Sequence, residues 1–323
     1  MRSGHHLTIS LTTGAGILTT PAPLRAQEVR PMQHEYATVN QIRLHYAKSG
    51  NGELVLFLHG FPEFWYAWRR QLTEFGKDHL AVAPDLRGYN LSDKPADVAQ
   101  YAISLLVEDI RQLASHLNGG RQFVLVGHDW GGAVAWVFAM RHPELLRKLV
   151  IVNAPHPAIF DRELTKNPAQ QRASQYMLFF RSAQAESTLA ASGHAMLLSF
   201  FEEVRQAGHW TEADKEAYLA AWKQPGALTG GLNYYRAARV GPPEDGRRES
   251  LAKATSITDF RVRVPTLVIW GEKDSALLVG NLDGLETYVP SLTIERIPDG
   301  SHWVVHERGS LVNQLIRDFI TRR

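Results

Sequence analysis

The sequence predicts an α/β fold: a mostly parallel eight-stranded sheet with helices on both faces and an inserted helical cap. Three observations predict it. Short apolar runs alternate with amphipathic stretches at helical spacing. Residues 158–240 lose the strand signals and read as helical, rich in Ala, Gln, Phe, Tyr and Trp. Between an apolar run and a helical pattern lies Gly127-His-Asp129-Trp-Gly131, the spacing of a sharp strand-to-helix turn.

The elements follow in order. Tyr36 to Val39 and Ile42 to Lys48 alternate as two antiparallel strands joined at Asn40-Gln41. Leu54 to Leu58 is a continuous apolar run, a strand buried on both faces. His59 to Arg69 leads into a helix ending near Phe75. Leu80 to Ala83 is another buried strand, followed by the loop Pro84 to Tyr89. Ser104 to Leu117 is amphipathic, with Leu105, Val107, Ile110, Leu113 and Leu117 on its apolar side. Phe123 to Val126 is the strand before the turn. The helix after it carries Val134, Val137 and Phe138 and ends before Pro143. Leu149 to Val152, Pro265 to Trp270 and Leu292 to Ile297 complete the strands, and Leu311 to Ile320 is the last helix. The core is therefore expected over 34–157 and 255–323, the cap over 158–240, and a Gly/Pro-rich linker over 241–254.

A chain of 323 residues can bury a sizeable core. A net charge of +2, without a Lys/Arg-rich run, gives no case for nucleic acid. Zero cysteines exclude disulfides and thiolate metal sites. Residues 1–26 hold Arg2 and Arg25 and no acid, with a modestly apolar run from Leu7 to Thr20. That resembles a weak secretory signal; the other reading is a disordered leader or a misplaced start codon. A cleaved signal implies a periplasmic or secreted protein, an uncleaved one a cytoplasmic protein. No stretch reaches transmembrane length, so no membrane span is expected.

Three residues fall just past strand ends in a chemically meaningful order. Asp129 stands where G-x-S-x-G places its nucleophile, and its glycines allow the tight turn. The competing reading of Asp129 is a helix cap. Asp274 lies in Trp270-Gly-Glu-Lys-Asp274 and His302 in Asp299-Gly-Ser-His302. Nucleophile, acid, histidine is the chain order of α/β-hydrolases.

With these motifs in hand, the sequence resembles the epoxide hydrolase branch of the α/β-hydrolase fold superfamily, over residues 34–322. The most specific likeness is His59-Gly-Phe-Pro-Glu-Phe-Trp-Tyr-Ala-Trp-Arg69. Asp85-Leu-Arg-Gly-Tyr89, Gly127-His-Asp-Trp-Gly-Gly132, Asn153-Ala-Pro-His-Pro157, Trp270 to Asp274 and Ser301-His-Trp303 support it. The resemblance implies an α/β-hydrolase fold and conversion of epoxides to vicinal diols without a cofactor. It implies two cap tyrosines, Tyr176 and Tyr235, the latter in Asn233-Tyr-Tyr-Arg236. It also implies backbone oxyanion donors on Phe61 and Trp130 and a cis peptide before Pro62; His59 is expected to support that loop.

The residue types suit the reaction. A carboxylate can attack a strained ring carbon without first losing a proton. A tyrosine hydroxyl, with an ordinary pKa of about 10, is neutral at pH 7 and can donate to the expelled oxygen. Water then attacks the ester carbonyl, with His302 taking the proton and Asp274 holding its tautomer. Each oxyanion donor is worth ~3 kcal/mol in comparable sites.

Two other readings stay open. Haloalkane dehalogenases share the fold and the ester, but Phe61 replaces the Asn common there. Asn153 cannot serve as the acid some of them use, and Tyr235 suits an alkoxide. Fluoroacetate dehalogenases typically show Arg where this chain has Trp130, and Asp129 excludes a serine esterase. The second reading is a catalytically idle binding protein on the same fold. Metal binding at His5-His6 or near His142 lacks the ligand count of a zinc site. Cap residues Phe179, Phe180, Phe200, Phe201, Trp210 and Trp222 are expected mostly to pack. Any that line a pocket point to a small apolar epoxide, with water as co-substrate.

Overall fold

The computed structural model describes residues 32–244 and 258–322, with Met1 and Gly4. The N-terminal leader, His5-His6 and much of the 241–254 linker lie outside the described residues.

Among the described residues eight strands form one sheet: β1 (Gln33–Val39), β2 (Ile42–Ser49), β3 (Leu54–Leu58), β4 (Leu80–Pro84), β5 (Phe123–His128), β6 (Leu146–Val152), β7 (Thr266–Gly271) and β8 (Leu292–Ile297). Their spatial order is β1-β2-β4-β3-β5-β6-β7-β8. The β1–β2 and β2–β4 pairs are antiparallel, and every other pair is parallel. Asn40 and Gln41, at φ 45° and 64°, make the β1–β2 turn. Two positive-φ residues suit the right-handed twist of a hairpin.

The central strands are buried on both sides because helices cover both faces. Val55 and Phe57 of β3 pack with Val124, Val126, Val150 and Ile269 under α1 (Arg69–Phe75) and the C-terminal helix Gly309–Thr321. Leu54, Leu56 and Leu58 point the other way, with Leu125 and Ile151, toward α2 (Ile103–Asn118) and α3 (Asp129–Arg141). This alternation is the period-two geometry of a strand. In α2 the buried stripe runs through Leu106, Val107, Ile110 and Leu113. Leu105 and Leu117 are only half-buried, so the apolar face is rotated slightly from the one the pattern suggested.

After β6 the chain leaves the sheet for α4 (Pro157–Lys166), α5 (Pro168–Ala173), α6 (Gln175–Arg181), α7 (Ala185–Ser199), α8 (Glu202–Gln206), α9 (Glu212–Trp222) and α10 (Ala227–Ala238). It returns at β7; α11 (Val304–Glu307) and α12 (Gly309–Thr321) close the described part. None of the described helices is long and apolar enough to cross a membrane.

Arg87, in the loop after β4, ties this helical layer to the core. Its guanidinium gives Asp109 two hydrogen bonds of 2.7 and 2.6 Å, with the two side chains 1% and 2% exposed. Its carbonyl accepts from the Tyr234 hydroxyl of α10 at 2.9 Å. Replacing Arg87 with Leu strands a buried carboxylate and should cost about 3–5 kcal/mol in urea unfolding. A loss below about 1 kcal/mol would contradict this role for the pair.

Candidate active site

The turn between β5 and α3 holds Asp129 at φ 49°, in the left-handed region that L-residues avoid. Tight packing imposes it. A Cβ on Gly131 would lie 2.3 Å from the Leu58 carbonyl oxygen, so α3 can approach β3 this closely only with glycine there. Asp129 does not cap α3, whose N-cap is His128 with no side-chain bond. Its Oδ1 instead accepts from the Phe61 N–H at 2.8 Å. Gly60 makes room for it, since a Cβ there would meet the Asp129 carboxylate at 2.3 Å.

The Phe61 loop follows β3, and the Phe61–Pro62 peptide is cis. His59 sits beneath the loop, fully buried, accepting from Leu86 N–H at 3.0 Å. Histidine there supports the turn and does not border the cavities beside Asp129.

His302 enters from the loop after β8. Its Nε2 stands 3.8 Å from Asp129 Oδ2, and its Nδ1 lies 2.7 Å from Asp274 Oδ2. The carboxylate fixes the proton on Nδ1 and leaves Nε2 toward Asp129. Asp274 is itself held: its Oδ1 accepts from the Ala276 and Leu277 N–H groups at 2.9 and 2.8 Å, and Oδ2 from Asn153 Nδ2 at 2.8 Å. Burial alone would raise the Asp274 pKa, but the His302 charge and these donors bring it below the ordinary value. Burial would lower His302. The Asp274 charge and hydrogen bond outweigh it, with Asp129 and Glu63 adding, and raise His302 to about 9.

Two cavities meet at this point. One, of about 370 Å³, is bordered by Phe61, Phe180, Met196, Phe200, His302 and Trp303. The other, of about 40 Å³, is bordered by Asp129, Trp130, Phe160, Met177, Val240 and Leu277. Tyr176 and Tyr235 border both. Their ring centroids are 6.3 Å apart. Burial first, then the Asp129 charge, pushes both hydroxyls well above the usual tyrosine pKa, so both stay protonated as donors. Tyr234 is the packing member of the adjacent pair, bonded to the core. Phe180 and Phe200 line the larger cavity, whereas Phe201, Trp210 and Trp222 are buried in the aromatic packing beside it.

One cluster escaped the sequence reading. Glu63 is buried, with Oε2 3.2 Å from His128 Nδ1 and Oε1 2.6 Å from His306 Nε2 and 2.8 Å from the Tyr218 hydroxyl. His128 Nε2 donates to the His302 carbonyl at 2.9 Å. Burial would raise the Glu63 pKa, and the two histidines instead hold it well below the carboxylate range. Glu63 and His128 lie inside quoted motifs, so an acid and a histidine flanking the site were the available signal. Among the described residues no group of three or more His, Asp or Glu is arranged to hold a metal ion.

Residues 53–309 match the family described as "alpha/beta hydrolase fold". The chain is 36% identical over 296 residues to epoxide hydrolase 4 of Mus musculus, covering 87% of this chain and 78% of the relative. It is 37% identical to the AB hydrolase superfamily protein YfhM of Bacillus subtilis, covering 88% and 97% of the two chains. A solved epoxide hydrolase variant from Bacillus megaterium, complexed with its product (R)-3-[1]naphthyloxy-propane-1,2-diol, superposes with a TM-score of 0.83 at 39% identity. That match covers 89% of this chain and 100% of the other. By sequence, by fold and by the residues gathered at its strand ends, this chain belongs to the epoxide hydrolase branch of the α/β-hydrolase fold family.

Proposed function

We propose that this protein hydrolyses epoxides to vicinal diols through an ester on Asp129. The observation that carries the reading is the placement of the Asp129 carboxylate. It faces His302 Nε2 at 3.8 Å, beside a cavity bordered by the buried Tyr235 and the half-buried Tyr176. Oδ1 is engaged by Phe61 N–H, which leaves Oδ2 to attack a ring carbon. As the C–O bond breaks, Tyr235 and Tyr176 donate to the departing oxygen. The ester carbonyl then lies at the Phe61 N–H, with the Trp130 N–H as second donor. Water attacks that carbon and His302 Nε2 takes its proton; as the oxyanion collapses His302 returns that proton to the departing diol oxygen, and the acid proton left on Asp129 goes back to the tyrosinate, which restores the carboxylate.

The raised His302 pKa fits this sequence of events. Part of the rise comes from the Asp129 charge, and esterification removes that charge. His302 therefore becomes a weaker acid-holder, and more readily a neutral base, when the ester awaits water. Asp129→Asn mimics the neutral state: its His302 should titrate below the wild-type value of about 9 in an NMR pH series. Asp274→Asn should bring His302 down further, because it removes the largest of the contributions that oppose burial.

The apolar walls of the larger cavity, with Phe180, Met196, Phe200 and Trp303, favour an apolar substituent on the epoxide. The Bacillus megaterium relative carries a naphthyloxy-propanediol product, and an aryl glycidyl ether is a suitable first substrate. Offered that epoxide and a haloalkane together, the protein should form diol without releasing halide. Halide release without diol would favour the dehalogenase reading, and neither product the idle-fold reading. Asp129→Ala should abolish diol formation. Tyr235→Phe should slow ester formation about 10²-fold, followed by quenched-flow detection of the adduct.

A further inference from the structure

Resting on the ester mechanism proposed above, we infer that one face of cap helix α9 positions the oxyanion donor on Phe61 and thereby sets the rate of ester hydrolysis. Asp214, Tyr218 and Trp222 recur at every fourth position of α9, so they share one side of the helix. All three are buried, at 3%, 0% and 6% exposure. Each grips the loop after β3 or the first residue of α1 that follows it. Asp214 Oδ1 pairs with Arg69 Nη2 at 2.6 Å. The Tyr218 hydroxyl donates to Glu63 Oε1 at 2.8 Å. The Trp222 indole Nε1 donates to the Pro62 carbonyl at 2.6 Å. The helix runs antiparallel to the loop, meeting residues 69, 63 and 62 in turn.

The innermost of these bonds acts next to the reacting groups. Glu63 N–H donates to the Gly60 carbonyl at 2.9 Å, closing a four-residue turn with Phe61 and Pro62 at its centre. The Pro62 carbonyl and the Phe61 N–H therefore belong to one small rigid unit. Holding the carbonyl from the cap side holds the N–H against Asp129 on the core side. Asp214 is anchored in its turn, accepting from the Thr211 N–H and hydroxyl at 2.8 Å each, which closes the capping box that starts α9. The polar side chains of a buried helix face thus hold Pro62, Glu63 and Arg69, of which neither Pro62 nor Arg69 borders a cavity beside Asp129. Trp222 is a positioning residue; it does not border either cavity beside Asp129.

The two chemical steps respond differently to this grip. Ring opening needs the Asp129 carboxylate as a nucleophile, and a weaker bond from Phe61 does not reduce its charge. Ester hydrolysis builds new negative charge on the oxygen at Phe61 N–H and depends on that donor. A displaced donor therefore slows the second step selectively.

The test uses Trp222→Phe, which keeps the ring and removes the N–H, with phenyl glycidyl ether as substrate. Adduct on Asp129 is followed by rapid quench and intact-protein mass spectrometry. We expect adduct formation within twofold of wild type, adduct decay slowed about tenfold, and ester accumulating at steady state. In steady-state kinetics kcat and KM should fall together with kcat/KM unchanged. A variant that loses kcat/KM in step with kcat, without accumulating adduct, overturns the inference; so does unchanged decay. If Trp222→Phe does not fold, Asp214→Asn is held to the same outcomes, because it loosens the same face from its far end. His302→Gln separates the two levels of argument. It should trap the adduct whether or not α9 matters, and its failure to do so overturns the ester mechanism itself.

Discussion

The hydrogen bond from Phe61 N–H to Asp129 Oδ1 is the contact on which the rest of the site depends. It joins the loops at the C-terminal ends of β3 and β5, and these strands are parallel neighbours. Because they are neighbours, their loops leave the sheet side by side. Because the turn after β5 is so tight, Asp129 is thrown up between them at φ 49°. The strained backbone is stabilised elsewhere, by close packing of α3 on the sheet and by the N–H that meets the carboxylate. One oxygen is thereby committed and the other left free. On the ester mechanism proposed above, the free oxygen is the one that attacks and the committed one becomes the ester carbonyl.

Around this contact the charges are arranged so that few of them face water alone. Asp274 gathers donors from Asn153, Ala276 and Leu277 before it meets His302. Glu63, a second buried carboxylate, sits among His128, His306 and Tyr218 and reaches His302 through His128, which holds the His302 carbonyl and packs its ring 4.7 Å from the His302 ring. Buried charges this well partnered hold geometry rather than add net stability. Here the geometry they hold is the ring plane of His302.

The parts of this site carried by local constraints were legible in the sequence. A strand, a G-x-D-x-G turn and a helix can be read from neighbouring residues, and so can the polar loops bearing Asp274 and His302. Tyr235 was legible only through resemblance. Tyr234 beside it has the same chemistry, and packing separates them: Tyr234 reaches the Arg87 carbonyl while Tyr235 borders the cavities. Strand β1 begins at Gln33, earlier than its apolar pattern suggested, because pairing with Lys48 of β2 and not alternation extends it. The Glu63 cluster was invisible for a different reason. It joins residue 63 to residue 306, and no local pattern marks side chains that meet across the whole fold. Asn153 could be excluded as an acid, but its service to Asp274 needed the spatial order of β6 and β7.

The chain order of the site has a consequence for turnover. The reactive carboxylate is built from β3 and β5, and the tyrosines follow in α6 and α10, whereas His302 belongs to the last strand's loop. On the ester mechanism proposed above, every group that takes part in alkylation precedes residue 302, and the base that releases the ester comes last. The loop after β8 is what separates consumption of one equivalent from turnover.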